Sequence, residues 1–459
     1  MHIVIVGAGE VGFSVARNLS QDGHDLVLVE ENPDRAAKAE NELDVMVVRG
    51  NGARPNVLEK AGITEETSVE MLIACSSKDE VNILACWIAK RRGVKRVISR
   101  AVGMEFTDTD SWSRELGIDT MVSPERSVAR EVEDLLETQG AIHSIEIDSN
   151  AGLYAFRVDE ESDANGMTLL DLRKQNPRLV TIIVYVKRDD TGFIPKANDA
   201  LEAGDICYSF CYLDQIHEIS ELYQPHKAKK LRSVVIVGAG KVGFQTAELL
   251  LKRIRGIDIK IIDRDREKCR RVAAEMPKVT VLWGDGADED LMKREGVPSA
   301  GGFVSATESD ELNLILALQA KSLGACKSIA VIRRTNYMKL LDVIPIDAIV
   351  NRNEALSSVI ISAVRYPGSA GTFALMDQIG AETVQVTIPA DSPAAGVELK
   401  DLSMPTGALI GLVRREDRRR SDIFIPTGNS SLKPGDKAIL FVTQDMTEKA
   451  LAILGVNTA

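Results

Sequence analysis

The stretch IVIVGAGEVGF at residues 3–13 recurs as VVIVGAGKVGF at residues 234–244. Each copy is an apolar run that predicts a strand, followed by the pattern G-x-G-x-x-G at the start of a predicted helix. Glycine permits a tight turn here and lets the backbone approach a pyrophosphate, which the positive end of the helix attracts. A second predicted strand follows each motif and ends in an acid, Glu30 or Asp263. Two such units predict two dinucleotide-binding folds.

The two acids bear on the choice of nucleotide. A carboxylate at the tip of the second strand accepts hydrogen bonds from both ribose hydroxyls and repels a 2′-phosphate. Glu30 and Asp263 therefore favour NAD(H) or another adenine nucleotide over NADP(H).

The repeat extends well beyond the glycine motifs, at an offset of about 231 residues. It pairs RGNGARPNVLEKAGI with WGDGADEDLMKREGV, SKDEVNILA with ESDELNLIL, VISR (97–100) with VIRR (331–334), and IDTMVSPE (118–125) with IDAIVNRN (346–353). The repeating unit is about half the chain, which is longer than the repeats of solenoid proteins. Tandem duplication of a whole domain pair is the simplest explanation.

Composition indicates a globular, soluble, cytosolic protein. The 459 residues give room for about three or four domains. The net charge of −12 argues against nonspecific binding of nucleic acid. No apolar run approaches the ~18 residues of a membrane-spanning helix, and the chain enters its first strand at once, without a signal peptide. The six cysteines show no zinc spacing; Cys207 and Cys211 are either small buried hydrophobic residues or a redox pair.

The strand–helix pattern divides each half into two parts. Alternation of strands and helices predicts a doubly wound parallel sheet, and the shorter strands that follow predict a small α/β module. The fold class is therefore α/β, with two Rossmann-like parallel-sheet domains, each followed by a small module. The predicted units are 1–138, 139–223, a linker at 224–233, 234–365 and 366–459.

The order of these units and their motifs resembles the TrkA family of regulatory proteins of Trk potassium-uptake systems. Members of that family contain tandem RCK (regulator of potassium conductance, or KTN) domains. The matching motifs are the GAGxVGF start, the VxxGxGxxPxVLxxAG loop at 47–62, SxDExN at 77–82 and the following VISR. The resemblance implies binding of NAD(H), with ATP or ADP as a further candidate.

The resemblance also implies where such a protein works. It would be a peripheral, cytoplasmic protein on the inner face of the membrane, where it binds a Trk-type potassium channel or transporter subunit and changes its gating. Four chains would form a homo-oligomeric ring of eight RCK units. No nucleic acid partner is implied.

The residues that match the family's nucleotide contacts lie at corresponding places in both halves. In the first half they are Gly7, Ala8, Gly9, Glu10 and Val11 at the phosphate turn, Glu30 at the ribose, Asn51, Gly52 and Ala53 in the following loop, Ser76 and Ser77 near the adenosine or ribose, and Arg100 near a phosphate. In the second half they are Gly238, Ala239, Gly240, Lys241, Val242, Asp263, Asp285 and Arg334.

Two of these positions, Lys241 and Arg100, leave alternatives open, and so does Glu125. Lys241 either strengthens binding of a more highly charged ligand such as ATP or is a solvated residue at a helix start. Arg100 either contacts a phosphate through its guanidinium or pairs with Glu105 or Asp108. Glu125 resembles a glutamate that holds a cation in some relatives, but a carboxylate at a helix start ordinarily stabilises the helix, and no metal site is predicted.

Other function classes lack their characteristic residues. An NAD-dependent oxidoreductase, the main alternative, needs a substrate domain that places a base against the nicotinamide. Each nucleotide unit here is followed by only a small module without a recognisable catalytic set, and the five histidines are scattered. A redox-sensing repressor would need a basic DNA-reading helix–turn–helix, which the chain does not offer. A regulatory protein without enzymatic activity is the preferred interpretation.

Overall fold

The computed structural model describes residues 1–101, 110–138, 140–148, 150–189, 191–224, 231–365, 374–376, 380–417 and 420–456. The first unit is a six-stranded sheet in the order β3-β2-β1-β4-β5-β6, and its registers are parallel throughout. Its strands are β1 (His2–Val6), β2 (Asp25–Glu30), β3 (Met46–Arg49), β4 (Met71–Ala74), β5 (Arg96–Arg100) and β6 (Thr120–Val122). Its helices are α1 (Glu10–Gln21), α2 (Pro33–Glu42), α3 (Pro55–Lys60), α4 (Asp79–Arg91), α5 (Asp110–Leu116) and α6 (Pro124–Glu137).

A small antiparallel module follows, with five strands in the order β10-β9-β11-β8-β7. It contains β7 (Ala141–Asp148), β8 (Ala151–Arg157), α7 (Leu169–Gln175), β9 (Thr181–Arg188), β10 (Thr191–Phe193), β11 (Ile206–Tyr212) and α8 (Ile216–Tyr223). Cys207 and Cys211 lie fully buried on β11, where burial raises the pKa of the Cys211 thiol to about 12. Both thiols are free, which favours the interpretation as small core residues.

The second half repeats both units. The second parallel sheet has the order β14-β13-β12-β15-β16-β17. Its strands are β12 (Ser233–Val237), β13 (Asp258–Asp263), β14 (Thr280–Trp283), β15 (Gly302–Ser305), β16 (Ser328–Ile332) and β17 (Ala348–Asn351), and its helices are α9 (Lys241–Arg253), α10 (Arg266–Glu275), α11 (Glu289–Arg294), α12 (Asp310–Leu323) and α13 (Arg352–Arg365). The second module contains β18 (Ala374–Met376), β19 (Ala381–Thr387), β20 (Ala408–Asp417), β21 (Arg420–Phe424), β22 (Lys437–Thr443) and α14 (Thr447–Ile453).

The predicted fold class is confirmed. Central strands such as β1 and β12 are apolar along their length because helices cover both faces of a doubly wound sheet. The unit boundaries stay predictions: they fall beside the ends of α6 and α13, and most of the linker at 224–233 lies outside the described residues.

The last helix of each parallel unit packs on the other unit. Val128, Val132, Leu135 and Leu136 of α6 share a core with the second sheet. Reciprocally, Leu356, Ile360, Ile361 and Val364 of α13 share a core with the first sheet. Each buried aliphatic side chain contributes about 1.5–3 kcal/mol, so this exchange of helices fastens the two domains together.

One cation also fastens the end of each exchanged helix. Lys327, 3% exposed and just before β16, donates to the carbonyl oxygens of Leu135, Thr138 and Ala141 at 2.5, 2.8 and 2.7 Å. Arg96, its counterpart in the first domain, donates to Ala363 O of α13 at 2.7 Å. These cations satisfy terminal carbonyls that a helix leaves without partners. Because each helix leads into a small module, the contacts connect one parallel domain to the module of the other half.

The two small modules also pack on each other. Their sheets share one apolar core, in which the rings of Tyr185 and Phe441 lie 5.6 Å apart. The Tyr212 hydroxyl donates to Ile423 O at 3.3 Å and accepts from the backbone N–H of Ile425 at 3.2 Å. The two halves of the chain therefore contact each other both through their parallel domains and through their small modules.

Candidate functional site

Each parallel sheet carries a cleft at the carboxyl ends of its strands, where the strand order reverses. The first cleft has a volume of about 790 Å³ and the second about 670 Å³. Ligands of doubly wound folds bind at this switch point. The predicted residues that line the first cleft are Gly7, Gly9, Glu10, Val11, Glu30, Asn51, Gly52, Ser76, Ser77 and Arg100. Those that line the second are Gly238, Gly240, Lys241, Val242, Asp263 and Asp285.

The glycine turns have the geometry that the motif requires. Gly7 has φ +100°, in the left-handed region, and a Cβ there would lie 2.9 Å from the backbone of Ser76. A Cβ at Gly12 would lie 1.9 Å from the carbonyl oxygen of Gly7, so the helix could not approach the turn. Gly9 is the N-cap of α1, and no side chain of a described residue caps that helix. The first N–H groups of α1 are thus available to an anion in the cleft.

The acids at the strand tips hold the turns in place. Glu30 is buried; its Oε2 accepts from Ala8 N at 2.5 Å and its Oε1 from Asn32 N at 2.8 Å. In the second domain, Asp263 accepts from Ala239 N at 2.6 Å and from Asp265 N at 2.8 Å. A carboxylate oxygen has two lone pairs, so each acid can still accept from a ribose hydroxyl. This structural role of the acids adds to the predicted ribose contact.

The remaining predicted residues of the first half lie around a buried asparagine that sequence reasoning did not single out. Asn82, fully buried, accepts from Ser76 N at 2.9 Å and donates to the carbonyl oxygens of Ser76 and Arg100 at 3.0 and 3.1 Å. Its place in the SxDExN motif was the available signal. Arg100 Nη1 donates to Ser76 O at 3.2 Å, while its alternative partners Glu105 and Asp108 lie outside the described residues.

Two predicted residues, Ala8 and Ala53, do not line the first cleft, and each contributes its backbone N–H group instead. The N–H of Ala53 donates to Asn51 Oδ1 at 2.9 Å, and that bond shapes the loop. Asn51 also donates to Glu31 at 3.1 Å. Ala8 supplies only its N–H, which Glu30 accepts.

Arg334 is not the counterpart of Arg100. In the first domain Asn82 donates to the carbonyl of Arg100; in the second, Asn313 donates to the carbonyl of Val331 at 2.7 Å. The match of VISR with VIRR was therefore shifted by three residues. Arg334 lies outside the second cleft and pairs with Glu311 at 3.0 Å.

Asp285 and Lys241 line the second cleft as expected from their positions. Asp285 accepts from Ala287 N at 2.9 Å and pairs with Arg264 at 2.6 Å across the mouth. The Ala287 hydrogen bond, followed by the Arg264 contact, lowers the pKa of Asp285. Lys241 stands at the start of α9, where the first cleft has Glu10.

Residues of each domain also line the cleft of the other. Arg333 and Asn353 line the first cleft, and Asn353 donates to Glu10 and, at 2.9 Å, to Arg333 O. Glu125 and Arg352 line the second cleft, where Arg352 Nη2 lies 2.5 Å from Glu125 Oε1. Sequence reasoning missed this arrangement because the contacts join residues more than 220 positions apart.

The Glu125 carboxylate is thus engaged with a cation of the other domain. Among the described residues, no group of three or more His, Cys, Asp or Glu side chains is placed to hold a metal ion. Within the same residues, no helix has both the length and the apolar character needed to span a membrane.

Two Rossmann-like clefts that share their walls, each followed by a small antiparallel module, define the chain as a protein with two tandem domains of the RCK type. The TrkA-N domain model matches residues 3–124 and 234–352, and the TrkA-C domain model matches residues 383–455. These matches cover more than half of the chain, which therefore belongs to the TrkA family of Trk system potassium uptake proteins.

Individual relatives agree with this membership. The chain is 31% identical over 450 residues to Trk system potassium uptake protein TrkA homolog 1 of Methanosarcina mazei, covering 96% of this chain and 97% of the relative. It is 30% identical over 452 residues to the TrkA homolog of Archaeoglobus fulgidus, covering 98% and 99%. Both relatives are Trk system potassium uptake proteins, which confirms the predicted family membership and favours the regulatory interpretation over the enzyme alternative.

A solved structure shows the same fold. The GsuK channel bound to NAD superposes with a TM-score of 0.60 at 20% identity, covering 99% of this chain and 79% of that one. At this identity the likeness establishes the RCK fold alone.

Proposed function

We propose that this chain is the nucleotide-sensing regulatory subunit of a Trk-type potassium uptake system, acting at the cytoplasmic face of the membrane. The observation that carries the proposal is the shared wall of the clefts, in which residues such as Arg333 of one domain line the cleft of the other. A nucleotide bound there contacts both domains, so its affinity depends on their relative position. A ligand with different affinity for two conformations shifts the balance between them, as gating requires.

The first cleft fits NAD(H). Its volume of about 790 Å³ lies within the usual range for small-molecule sites. A Cβ at Gly9 would meet only the Arg35 guanidinium, at 3.9 Å, so this face of the turn is open to a pyrophosphate. Glu30 stands where it can accept from the adenosine ribose. The NAD bound to the GsuK neighbour supports the same ligand.

The second cleft favours a more highly charged adenine nucleotide, ATP or ADP. Lys241 replaces Glu10 beside the phosphate turn, which exchanges a negative for a positive charge at the place where phosphates gather. Lys268 and Arg271 of α10 line the same cleft. Cations in a concave site attract polyphosphates more strongly than the single pyrophosphate of NAD.

The partner is proposed to be a Trk-type potassium channel or transporter subunit. The names of the relatives support this partner, and the family resemblance supports a ring of four chains with eight RCK units.

Co-purification tests the proposed partner. A tagged chain would be isolated from gently solubilised native membranes, and the co-eluting proteins identified, with a tagged unrelated cytosolic protein as control. The proposal predicts a Trk-type pore subunit in the sample and not in the control. Its clear absence, with the tagged chain intact and abundant, would contradict the proposal.

A further inference from the structure

A small pocket of about 200 Å³ lies between the two clefts, where the two parallel domains meet. Its walls are Arg100, Pro124, Arg333, Arg352, Asn353 and Leu356. Arg100, Arg333 and Asn353 also line the first cleft, and Arg352 also lines the second. The pocket is therefore a shared compartment between the clefts, too small for a nucleotide.

Three guanidinium groups from both domains line this pocket. Arg100 donates through Nη1 to Ser76 O, and its buried Nε has no partner among the described residues. Arg333 donates through Nη2 to Glu308 O at 2.5 Å and lies 3.4 Å from Asp310. A guanidinium has five N–H donors, so these contacts leave donors for a ligand.

Arg352 is held differently. It donates to the buried carboxylate of Glu125 at 2.5 Å and begins α13, whose first turn also supplies Asn353 and Leu356 to the pocket. The positive end of that helix adds to the charge of the arginines. Of the carboxylates nearby, Glu125 and Asp310 are each paired with an arginine, and Glu10 accepts a hydrogen bond from Asn353.

Among the described residues, the corresponding positions of the other half do not repeat this arginine cluster, although the fold is duplicated. By strand register and sequence repeat, the counterparts of Arg100, Arg352 and Asn353 are Val331, Pro124 and Glu125. The arginine cluster thus distinguishes the first cleft from the second and is not a by-product of duplication.

We propose that this pocket is an oxyanion site for one phosphoryl group, and that its ligand competes with Glu125 for Arg352. Guanidinium groups bind phosphate oxygens through paired, charge-assisted hydrogen bonds. The phosphoryl group comes either from the terminal phosphate of ADP or ATP in the first cleft or from free inorganic phosphate. NAD offers no terminal phosphate, so the pocket makes the first cleft bind ADP or ATP differently from NAD. Release of Glu125, which lines the second cleft, links the two clefts.

The test measures binding of AMP, ADP, ATP, NAD and inorganic phosphate by calorimetry to the intact chain and to Arg333→Gln. Arg334→Gln is the matched control, because it removes the same charge from the next residue, which lies outside the pocket. In Arg333→Gln we expect ATP affinity to fall about tenfold or more relative to the affinities for AMP and NAD, because these two ligands share the cleft wall but place no terminal phosphate in the pocket. Arg334→Gln should keep the preference of the parent chain.

The two phosphate sources give different results. If free phosphate is the ligand, millimolar phosphate alone raises the melting temperature of the parent chain and not that of Arg333→Gln. If the source is the nucleotide, phosphate alone has no effect while the ATP preference still falls. Equal ATP preference and equal phosphate response in a folded Arg333→Gln would overturn the inference.

This inference rests on nucleotide binding in the first cleft, and the two can fail separately. Absence of binding by AMP and NAD would contradict the proposed function, whereas normal AMP and NAD binding without an effect of Arg333→Gln would contradict only the pocket. Should Arg333→Gln not fold, Arg333→Lys keeps the charge without the planar fork. A reduced ATP preference would then support the site, and an unchanged one would overturn it.

Discussion

Replacement of Glu30 by alanine should weaken nucleotide binding in the first cleft and leave the second intact. Glu30 is 7% exposed, and its carboxylate accepts from the N–H groups of Ala8 and Asn32 at 2.5 and 2.8 Å. The variant therefore loses the predicted ribose contact, the bond that holds the glycine turn against β2, and the bond to Asn32 at the start of α2. Asp263→Ala makes the equivalent change in the second cleft.

The size of the effect follows from the bonds involved. Loss of a charge-assisted hydrogen bond to a ribose costs about 1–3 kcal/mol, equivalent to ~5–150-fold in Kd. Loosening of the turn adds to this figure, because the N–H groups that bind the pyrophosphate are then less well ordered. We expect the upper part of the range for Glu30→Ala.

Calorimetric titration with NADH measures this effect directly. Glu42→Ala is the control, because it removes the same charge from the exposed end of α2. The control should bind as the parent chain does, and Glu30→Ala should lose the site of the first cleft. Unchanged affinity and stoichiometry in both Glu30→Ala and Asp263→Ala, with folding verified, would refute the ribose assignment.

Three further predictions concern stability and are measured by chemical unfolding. Lys327→Met should lower the free energy of unfolding by about 3–5 kcal/mol, because it leaves three carbonyl oxygens without their donor, whereas Arg96→Met, which removes one such bond, should cost only ~1 kcal/mol. Equal losses would contradict this account. Burial, and then the nearby Glu354, raise the pKa of Glu131 to about 8, so the folded state holds a proton that the unfolded state releases at lower pH. The free energy of unfolding should therefore fall as pH rises from 4.5 to 8, by on the order of 3 kcal/mol. Glu131→Gln should flatten that dependence. Burial lowers the pKa of His143 to about 4, so the unfolded state takes up a proton at a higher pH than the folded state does. The free energy of unfolding should therefore fall as pH drops from 6.5 to 4, by at most ~3 kcal/mol. His143→Gln should lose less of it in acid than the parent chain does.

Local patterns in the sequence were sufficient for the fold class and for the positions of the clefts. The glycines of residues 7–12 fix a turn that only one kind of strand–helix junction uses. Apolar strands alternating with amphipathic helices then specify a parallel sheet, and the acid at the end of β2 follows from the same unit. Each of these signals lies within about 30 residues of chain.

Local sequence patterns could not predict that residues of each domain line the cleft of the other. Arg352 and Asn353 reach their sites because they begin α13, which packs on the other domain, and Arg333 follows β16 at the contact between the domains. No local periodicity encodes that exchange of helices. The apolar residues of α6 indicate that the helix is covered, but they do not indicate by what. Lys327 looks in sequence like a surface lysine beside a strand, and only the tertiary structure places it at the end of α6.

Repeat matching was reliable where the motif was distinctive and unreliable where it was not. The pairing of Glu125 with Asn353 agrees with the registers of β6 on β5 and of β17 on β16. The short VISR and VIRR segments have similar letters but do not occupy equivalent positions in their sheets. Sequence matching therefore assigned Arg334 as the equivalent of Arg100, whereas the structure places Val331 there. Hydrogen bonds of a buried asparagine, not letter identity, define the equivalence.

Potassium flux through the purified complex of this chain with its pore subunit tests the central claim most directly. Flux into liposomes would be measured with NAD, NADH, ADP or ATP, using the parent chain and the Glu30→Ala/Asp263→Ala double variant. We predict that at least one nucleotide changes flux with the parent chain and that this response is lost in the double variant. Flux that stays the same with every nucleotide, while calorimetry shows the clefts to be occupied, would contradict a gating role.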